Sequence, residues 1–269
     1  MGDDSITFDG AVGFYDQTRG FPPGEEQGVA GLFVKAGNLD RASRVLEIGV
    51  GTGRIALPLA PHVARYVAID LSRPMMDRLR AKQTSEPVNV LQGDITHLPL
   101  RSAGFDAVVA VHIVHLVPGW QMALAEAARV LAPDGQLLVG RNDSDRRPDE
   151  DILWDAWNGV IPRERTSAVG VPRERSDFFP LDEGWIQAGP PLVHSYFVTR
   201  TLRGFFERME QRIWSSSWRL TDEEIARGLA AVRAAAEAHT LDLDAPFEHE
   251  QRFTVRAYQP PGRRAASAE

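Results

Sequence analysis

Three glycines at alternate positions, Gly49, Gly51 and Gly53, follow directly on the short apolar run at 45–48, in R-V-L-E-I-G-V-G-T-G-R. Nothing else in the chain constrains its fold as strongly. A strand must end there, turn tightly and pass into a helix carrying Ile55, Leu57, Leu59 and Ala60 on one side. A side chain at such a turn would hold the backbone away from a ligand and oppose the turn itself. The helix start that follows offers N–H groups and a partial positive charge, which suits a polar cofactor. Such a turn also occurs without a ligand, so its context has to decide.

The context is a repeating strand–helix pattern. A second strand at 65–70 closes on Asp70, one βαβ length after Gly49, where a carboxylate can accept from both hydroxyls of a ribose. Ser72, just before Arg73-Pro74, reads as the N-cap of the next helix, which frees Asp70 from that role. A third strand at 88–93 leads into Asp94 and Ile95. That pair can accept from an adenine amino group and pack on its ring, although a surface turn would also tolerate Asp94. The fourth strand, 105–111, is nearly all apolar, as a strand buried on both faces should be, with Asp106 fixing its start. His112 and His115 follow at its carboxyl end, the edge where open α/β sheets bind ligands. Either histidine can border the reacting group and take a proton, or both can simply pack. No third ligand lies near them in the sequence, so no metal is expected.

The dinucleotide fingerprint G-x-G-x-x-G is not met, because Arg54 stands where its last glycine belongs. Glu47, at the mouth of the first strand, would repel a pyrophosphate but favour an ammonium or sulfonium group. E-I-G-V-G-T-G, then G-D-I-T-H-L-P-L and R-V-L-A-P-D-G, resemble the ordered motifs of class I S-adenosylmethionine-dependent methyltransferases of the small-molecule type. Asp134 replaces a glycine usual in the last of these. The resemblance implies an α/β fold: a Rossmann-like, seven-stranded, mostly parallel sheet with helices on both faces, an antiparallel last strand and a helical cap. It implies S-adenosylmethionine as cofactor and S-adenosylhomocysteine as product. The residues expected to hold the cofactor are Tyr15, Arg19, Glu47, Gly49, Gly51, Gly53, Asp70, Leu71, Met75, Asp94, Ile95 and His112, with core packing the alternative for Met75. His112 and His115 are the candidate catalytic residues. The segment F-Y-D-Q-T-R-G-F-P-P at 14–23 is either a helix packed on the core or, as family members with similar segments suggest, a flap whose Arg19 pairs with the methionyl carboxylate.

With 269 residues the chain can hold one methyltransferase domain with an elaboration: a cofactor core at 12–141, a cap at 145–240, a final strand at 247–257 and a disordered tail at 259–269. Within the cap region a short helix is expected over 182–188, a strand over 192–202 and a helix over 203–214. Thr221 and Glu224 have capping-box spacing and open a long helix to about residue 239. Trp154, Trp157, Trp185, Trp214 and Trp218, with Phe205 and Phe206, either line an acceptor pocket or form the cap's core. The absence of cysteine removes disulfides, thiolate metal sites and every cysteine-dependent methyl transfer. A net charge of −7 argues against a broad nucleic-acid surface. No apolar run is long enough to span a bilayer, and the acidic N-terminus is unlike a signal sequence, so a cytoplasmic protein is expected. The expected reaction is in-line methyl transfer to a small-molecule acceptor. Its rivals are a binder of S-adenosylmethionine that transfers nothing and a nicotinamide-dependent oxidoreductase, which would share Gly49, Gly51 and Asp70. The oligomeric state is not legible.

Overall fold

From Arg44 to Asp143 the strands are joined by connections of a dozen or more residues, most of them carrying a helix, as parallel crossovers require. The computed structural model describes residues 15–172, 175, 176 and 178–262. Its strands are β1 (Arg44–Ile48), β2 (Arg65–Asp70), β3 (Val88–Gln92), β4 (Phe105–Val111), β5 (Leu131–Asp143), β6 (Ile186–Gln187), β7 (Leu192–Arg200) and β8 (Phe247–Gln259). They form a sheet in the order β3-β2-β1-β4-β5-β8-β6, with β7 paired to β8. The pairs β1–β2, β1–β4, β2–β3 and β4–β5 are parallel, and β6 runs antiparallel to β8. The order steps outward from β1 to β3 and then resumes on the other side at β4. The carboxyl ends of β1 and β4 therefore flank the switch point where such sheets bind ligands.

The helices are α1 (Tyr15–Arg19), α2 (Glu25–Ala36), α3 (Ala56–Leu59), α4 (Arg73–Lys82), α5 (Trp120–Val130), α6 (Pro148–Val160), α7 (Arg163–Thr166), α8 (Phe179–Asp182), α9 (Arg203–Glu210) and α10 (Asp222–Ala238). The two-residue period of the strands sends alternate side chains to opposite faces. Leu46, Ile48, Val67, Val108 and Ala110 meet Ala123, Leu124 and Ala127 of α5 in one core. Val45, Ala68, Ala107 and Val109 meet Val29 and Phe33 of α2 and Leu59 of α3 in the other. Asp106 ties the two central strands at their start, accepting from Arg44 N–H (2.7 Å) and from its guanidinium (3.1 and 2.8 Å). Ser72 caps α4, accepting from Met75 N–H at 3.3 Å, and Thr221 and Glu224 close a reciprocal capping box on α10.

The sheet has eight strands where seven were expected. No helix spans 182–188: the one-turn α8 starts at Phe179 and ends at Asp182, Gly184 takes a left-handed conformation (φ 78°), and Ile186 and Gln187 then pair with Gln259 and Tyr258. β8 accordingly runs to Gln259 rather than 257. The expected tail begins inside that strand, and its residues 263–269 lie outside the described residues, as do residues 1–14.

The chain divides into two compact units. One comprises the described residues up to Asn142, with Val169–His194 and the chain from Phe253; the other is Asp143–Ala168 with Ser195–Arg252. The second unit holds α6, α7, α9 and α10 around Leu153, Trp157, Phe205, Phe206, Met209, Leu229 and Val232. Trp154 stands edge-on to Phe205 (5.1 Å) and 5.3 Å from Trp214, so these aromatics form that unit's core. Trp185 is buried in the first unit. Among the described residues no helix is long and apolar enough to cross a membrane.

Candidate functional site

The glycine turn is built on β2. Gly49 and Val50 N–H both donate to the Ile69 carbonyl (2.8 and 3.1 Å). Gly49 and Gly51 adopt φ of 72° and 55°, which disfavours any side chain there. Their surroundings differ. A Cβ on Gly49 would lie 2.5 Å from the Ile113 side chain, and one on Gly53 would lie 2.7 Å from Leu79. A Cβ on Gly51 would meet nothing within 4 Å. The turn is thus sealed by protein on either side of Gly51 and open above it.

Asp70 completes this open face. Its Oδ2 accepts from Gly51 N–H (2.7 Å) and its Oδ1 from Ser72 N–H (2.8 Å), so one carboxylate fastens the turn to the start of α4. Beside it Leu71 is 44% exposed, whereas Met75 is buried at 1%. The apolar surface next to Asp70 is therefore Leu71, and Met75 belongs to the core. At the end of β3, Asp94 is exposed and accepts from Thr96 N–H and Oγ (both 2.8 Å), while Ile95 packs into the core.

Glu47, expected at the strand mouth facing a cationic group, is buried instead. Its Oε2 accepts from Tyr66 Oη at 2.8 Å. Burial pushes its carboxyl up to about 8, with Tyr66 and Arg54 pulling the other way, and the Tyr66 hydroxyl is held well above its ordinary value by burial and by Glu47. At pH 7 the pair is mostly uncharged, and it stiffens the strands below the turn.

Helix α1 is clasped to the turn. Asp16 accepts from Thr52 Oγ (2.6 Å), Lys82 Nζ (2.7 Å) and Arg78 Nε (3.0 Å). Burial raises its carboxyl, but Lys82, Thr52 and Arg78 outweigh it and leave the group below the ordinary range. At the other end of α1 the Arg19 carbonyl accepts from Arg54 Nη1 (2.8 Å). The Arg54 guanidinium also donates to Asn142 Oδ1 (3.1 Å) and sits over the rings of Phe21 (4.7 Å) and Phe253 (5.9 Å). The side chain of Tyr15 lies outside the described residues.

Asn142 links this brace to the histidines. Its N–H lies 3.1 Å and its Oδ1 3.2 Å from His112 Nε2, so one backbone and one side-chain group of Asn142 hold the ring. His112 has a left-handed backbone (φ 51°) and is held well below its ordinary pKa by burial, then by Arg54 and Arg19. His115 is lowered to about 4 by burial and by Arg19. Both rings are neutral at pH 7. His112 has its Nε2 engaged, and His115 is a weak base. The loop bearing them is overlaid by Gly170 and Val171, whose N–H groups donate to the His115 and Val114 carbonyls (3.0 and 3.2 Å).

Sequence reasoning missed Asp16, Thr52 and Asn142, and read Arg54 only as a mismatch to a fingerprint. Each acts through partners 30 or more positions away, and local patterns carry no signal for such pairs.

Residues 46–139 match the methyltransferase domain family. The phosphatidylethanolamine N-methyltransferase of Cereibacter sphaeroides is 40% identical over 103 residues, 37% of this chain and 50% of that one. The uncharacterized methyltransferase YcgJ of Bacillus subtilis is 30% identical over 154 residues, 56% of this chain and 58% of that one. The chain thus spans little more than half the length of these relatives. The solved structure of YcgJ superposes with a TM-score of 0.57 at 19% identity, covering 87% of this chain and 99% of that one. The phosphoethanolamine N-methyltransferase 2 of Haemonchus contortus, solved with phosphomonomethylethanolamine and S-adenosylhomocysteine, superposes at 0.51 and 17% identity, covering 94% and 57%. At those identities the structural likenesses establish the fold alone.

Proposed function

We propose that this chain, whose residues 46–139 match the methyltransferase domain family, is a class I S-adenosylmethionine-dependent methyltransferase that moves a methyl group onto a small-molecule acceptor by in-line displacement. The observation that carries this reading is the turn left open above Gly51 and tied by its N–H to Asp70. That cradle fits a nucleoside: Asp70 takes the ribose hydroxyls, Leu71 and Asp94 take the adenine end, and Arg19 takes the carboxylate. S-adenosylmethionine, when bound, supplies a methyl already activated by the positive sulfur. The chain's own residues then need only position the acceptor and exclude water. Asn142 holds His112 in one orientation, so His112 acts as a positioning residue. His115, neutral at pH 7, takes a proton only from an acceptor that loses one easily. Relatives named for phosphatidylethanolamine and fatty acid support a small-molecule acceptor, and so does the net charge of −7, which disfavours nucleic acid.

Calorimetry with S-adenosylhomocysteine and with NADH tests the cofactor. Binding of the first alone, weakened about ten- to a hundredfold in Asp70→Ala, is expected. Preference for NADH, or an unchanged affinity in the variant, would overturn the assignment. Methyl-labelled S-adenosylmethionine incubated with a bacterial extract then tests the acceptor. Label in a protease- or nuclease-sensitive fraction would refute the small-molecule reading.

A further inference from the structure

The helical unit carries charge that its own side chains do not neutralise. Glu150 in α6 is the buried carboxylate there, and it is already engaged. Its Oε2 accepts from Arg147 N–H at 3.1 Å, closing the start of the helix, and lies 3.5 Å from His249 Nδ1. His249 is only 4% exposed, and its Nε2 is buried with no hydrogen-bond partner among the described residues. Around this pair stand Arg200 at the end of β7 and Arg208 in α9. Neither guanidinium has a carboxylate within ion-pair reach among the described residues; Arg208 instead sits over the Trp214 ring at 5.6 Å.

Both arginines are half-buried, and burial holds both below the ordinary guanidinium value, Arg208 at about 10. Each lies within the field of Glu150, and both act on His249 together with Arg147. A guanidinium keeps its proton, so two desolvated cations face Glu150, which is bound elsewhere, while Glu207 also acts on Arg208. Buried charge of this kind is retained where something of opposite sign completes it. The planar N–H forks of arginine match the oxygens of carboxylate and phosphate. The Phe247 ring, 6.1 Å from that of His249, lines a neighbouring cavity of about 180 Å³ with Arg147, Asp149, Leu202, Leu241 and Asp242.

We propose that Arg200, Arg208 and the Nε2 edge of His249 form a binding site for a small organic oxyanion, a carboxylate or a phosphate monoester. With Nδ1 turned to Glu150, Nε2 donates to the anion only when the imidazole is protonated. Binding therefore draws a proton onto His249 and tightens as the pH falls.

The test is calorimetric titration of the full chain with inorganic phosphate and, separately, with benzoate, at fixed ionic strength. At least one probe should bind saturably, tenfold or more weakly in Arg200→Gln and in Arg208→Gln, and the preferred probe identifies the oxyanion. Arg203→Gln should bind as the wild type does, because Arg203 is exposed and paired with Asp244. Without a probe, the two arginine variants should unfold no lower in temperature than the wild type, since each removes an unpaired cation; a purely structural arginine would lower it. If one variant fails to fold, the other carries the comparison. The proposal is overturned if neither probe binds saturably, or if binding survives both substitutions unchanged.

Discussion

Around the glycine turn Asp16, Asp70 and Arg54 are each answered by a partner; in the helical unit Arg200 and Arg208 meet no carboxylate within ion-pair reach among the described residues. Asp16 has Thr52, Lys82 and Arg78, Asp70 has two backbone N–H groups, and Arg54 has two oxygens and two rings. Arg200 and Arg208 have a ring and the field of Glu150, with Glu207 also acting on Arg208. The first arrangement is preorganised: its hydrogen bonds hold one shape, and a ligand enters a finished cradle. The second is incomplete by one negative charge. The difference teaches where each unit keeps its specificity, in backbone geometry for one and in unmatched charge for the other.

The sharpest way to break the first half of that comparison is to fill the turn. Gly49→Ala combines a left-handed side chain with collision against Ile113, and about 2–5 kcal/mol of stability should be lost, measured by denaturant unfolding. Gly51→Ala keeps the backbone penalty but meets open space. It should lose only about 1–2 kcal/mol while still impairing S-adenosylhomocysteine binding, so equal losses for the two variants would contradict the open cradle. Asp16→Asn removes a charged acceptor from the clasp and should lower stability by about 1–2 kcal/mol at pH 7. Its native pKa is depressed, so that contribution is present above the unfolded value of 3.8 and is lost as pH falls through the folded one; the two proteins should converge in acid. In the helical unit, Thr221→Ala should cost about 1 kcal/mol through the lost cap and leave the cofactor affinity unchanged.

Two buried titrations of opposite sign set the pH dependence of stability. His115 is lowered to about 4, so the unfolded chain takes its proton first and stability falls as the pH drops from 6.5 towards 4. His115→Gln should flatten that slope. Glu47 is raised to about 8, so its contribution is complete below 4.5 and lost as the pH rises towards 8. Glu47→Gln should unfold at a higher temperature than the wild type at pH 9.

What the sequence revealed was what short-range chemistry dictates. Gly49 to Gly53, the Ser72 cap, the Thr221–Glu224 box and the apolar β4 all act within a few residues, and each formed as its spacing predicts. Asp70 stands where a βαβ unit must bring it. Glu47 misled because a carboxylate near a strand mouth looks alike whether it points to solvent or to a tyrosine on the next strand. The orientation of the His112 ring depends on Asn142, and the clasp depends on Asp16 meeting Lys82; both are long-range pairs that no periodicity encodes. Trp154, Trp157 and Trp214 pack in the helical unit's core and Trp185 in the other unit's, because large rings at helical spacing serve packing first.

Strand β8 lies between β5 and β6, and its Phe253 packs against Phe21 and Phe33 near the beginning of the described chain. During synthesis, however, residues 195–252 of the helical unit emerge before Phe253 does. The nascent sheet therefore waits with the edge of β5 uncovered until the helical unit has been made. That interval is when the chain is most exposed to aberrant strand pairing, and a ribosome that stalls just before residue 253 would release a sheet missing an interior strand.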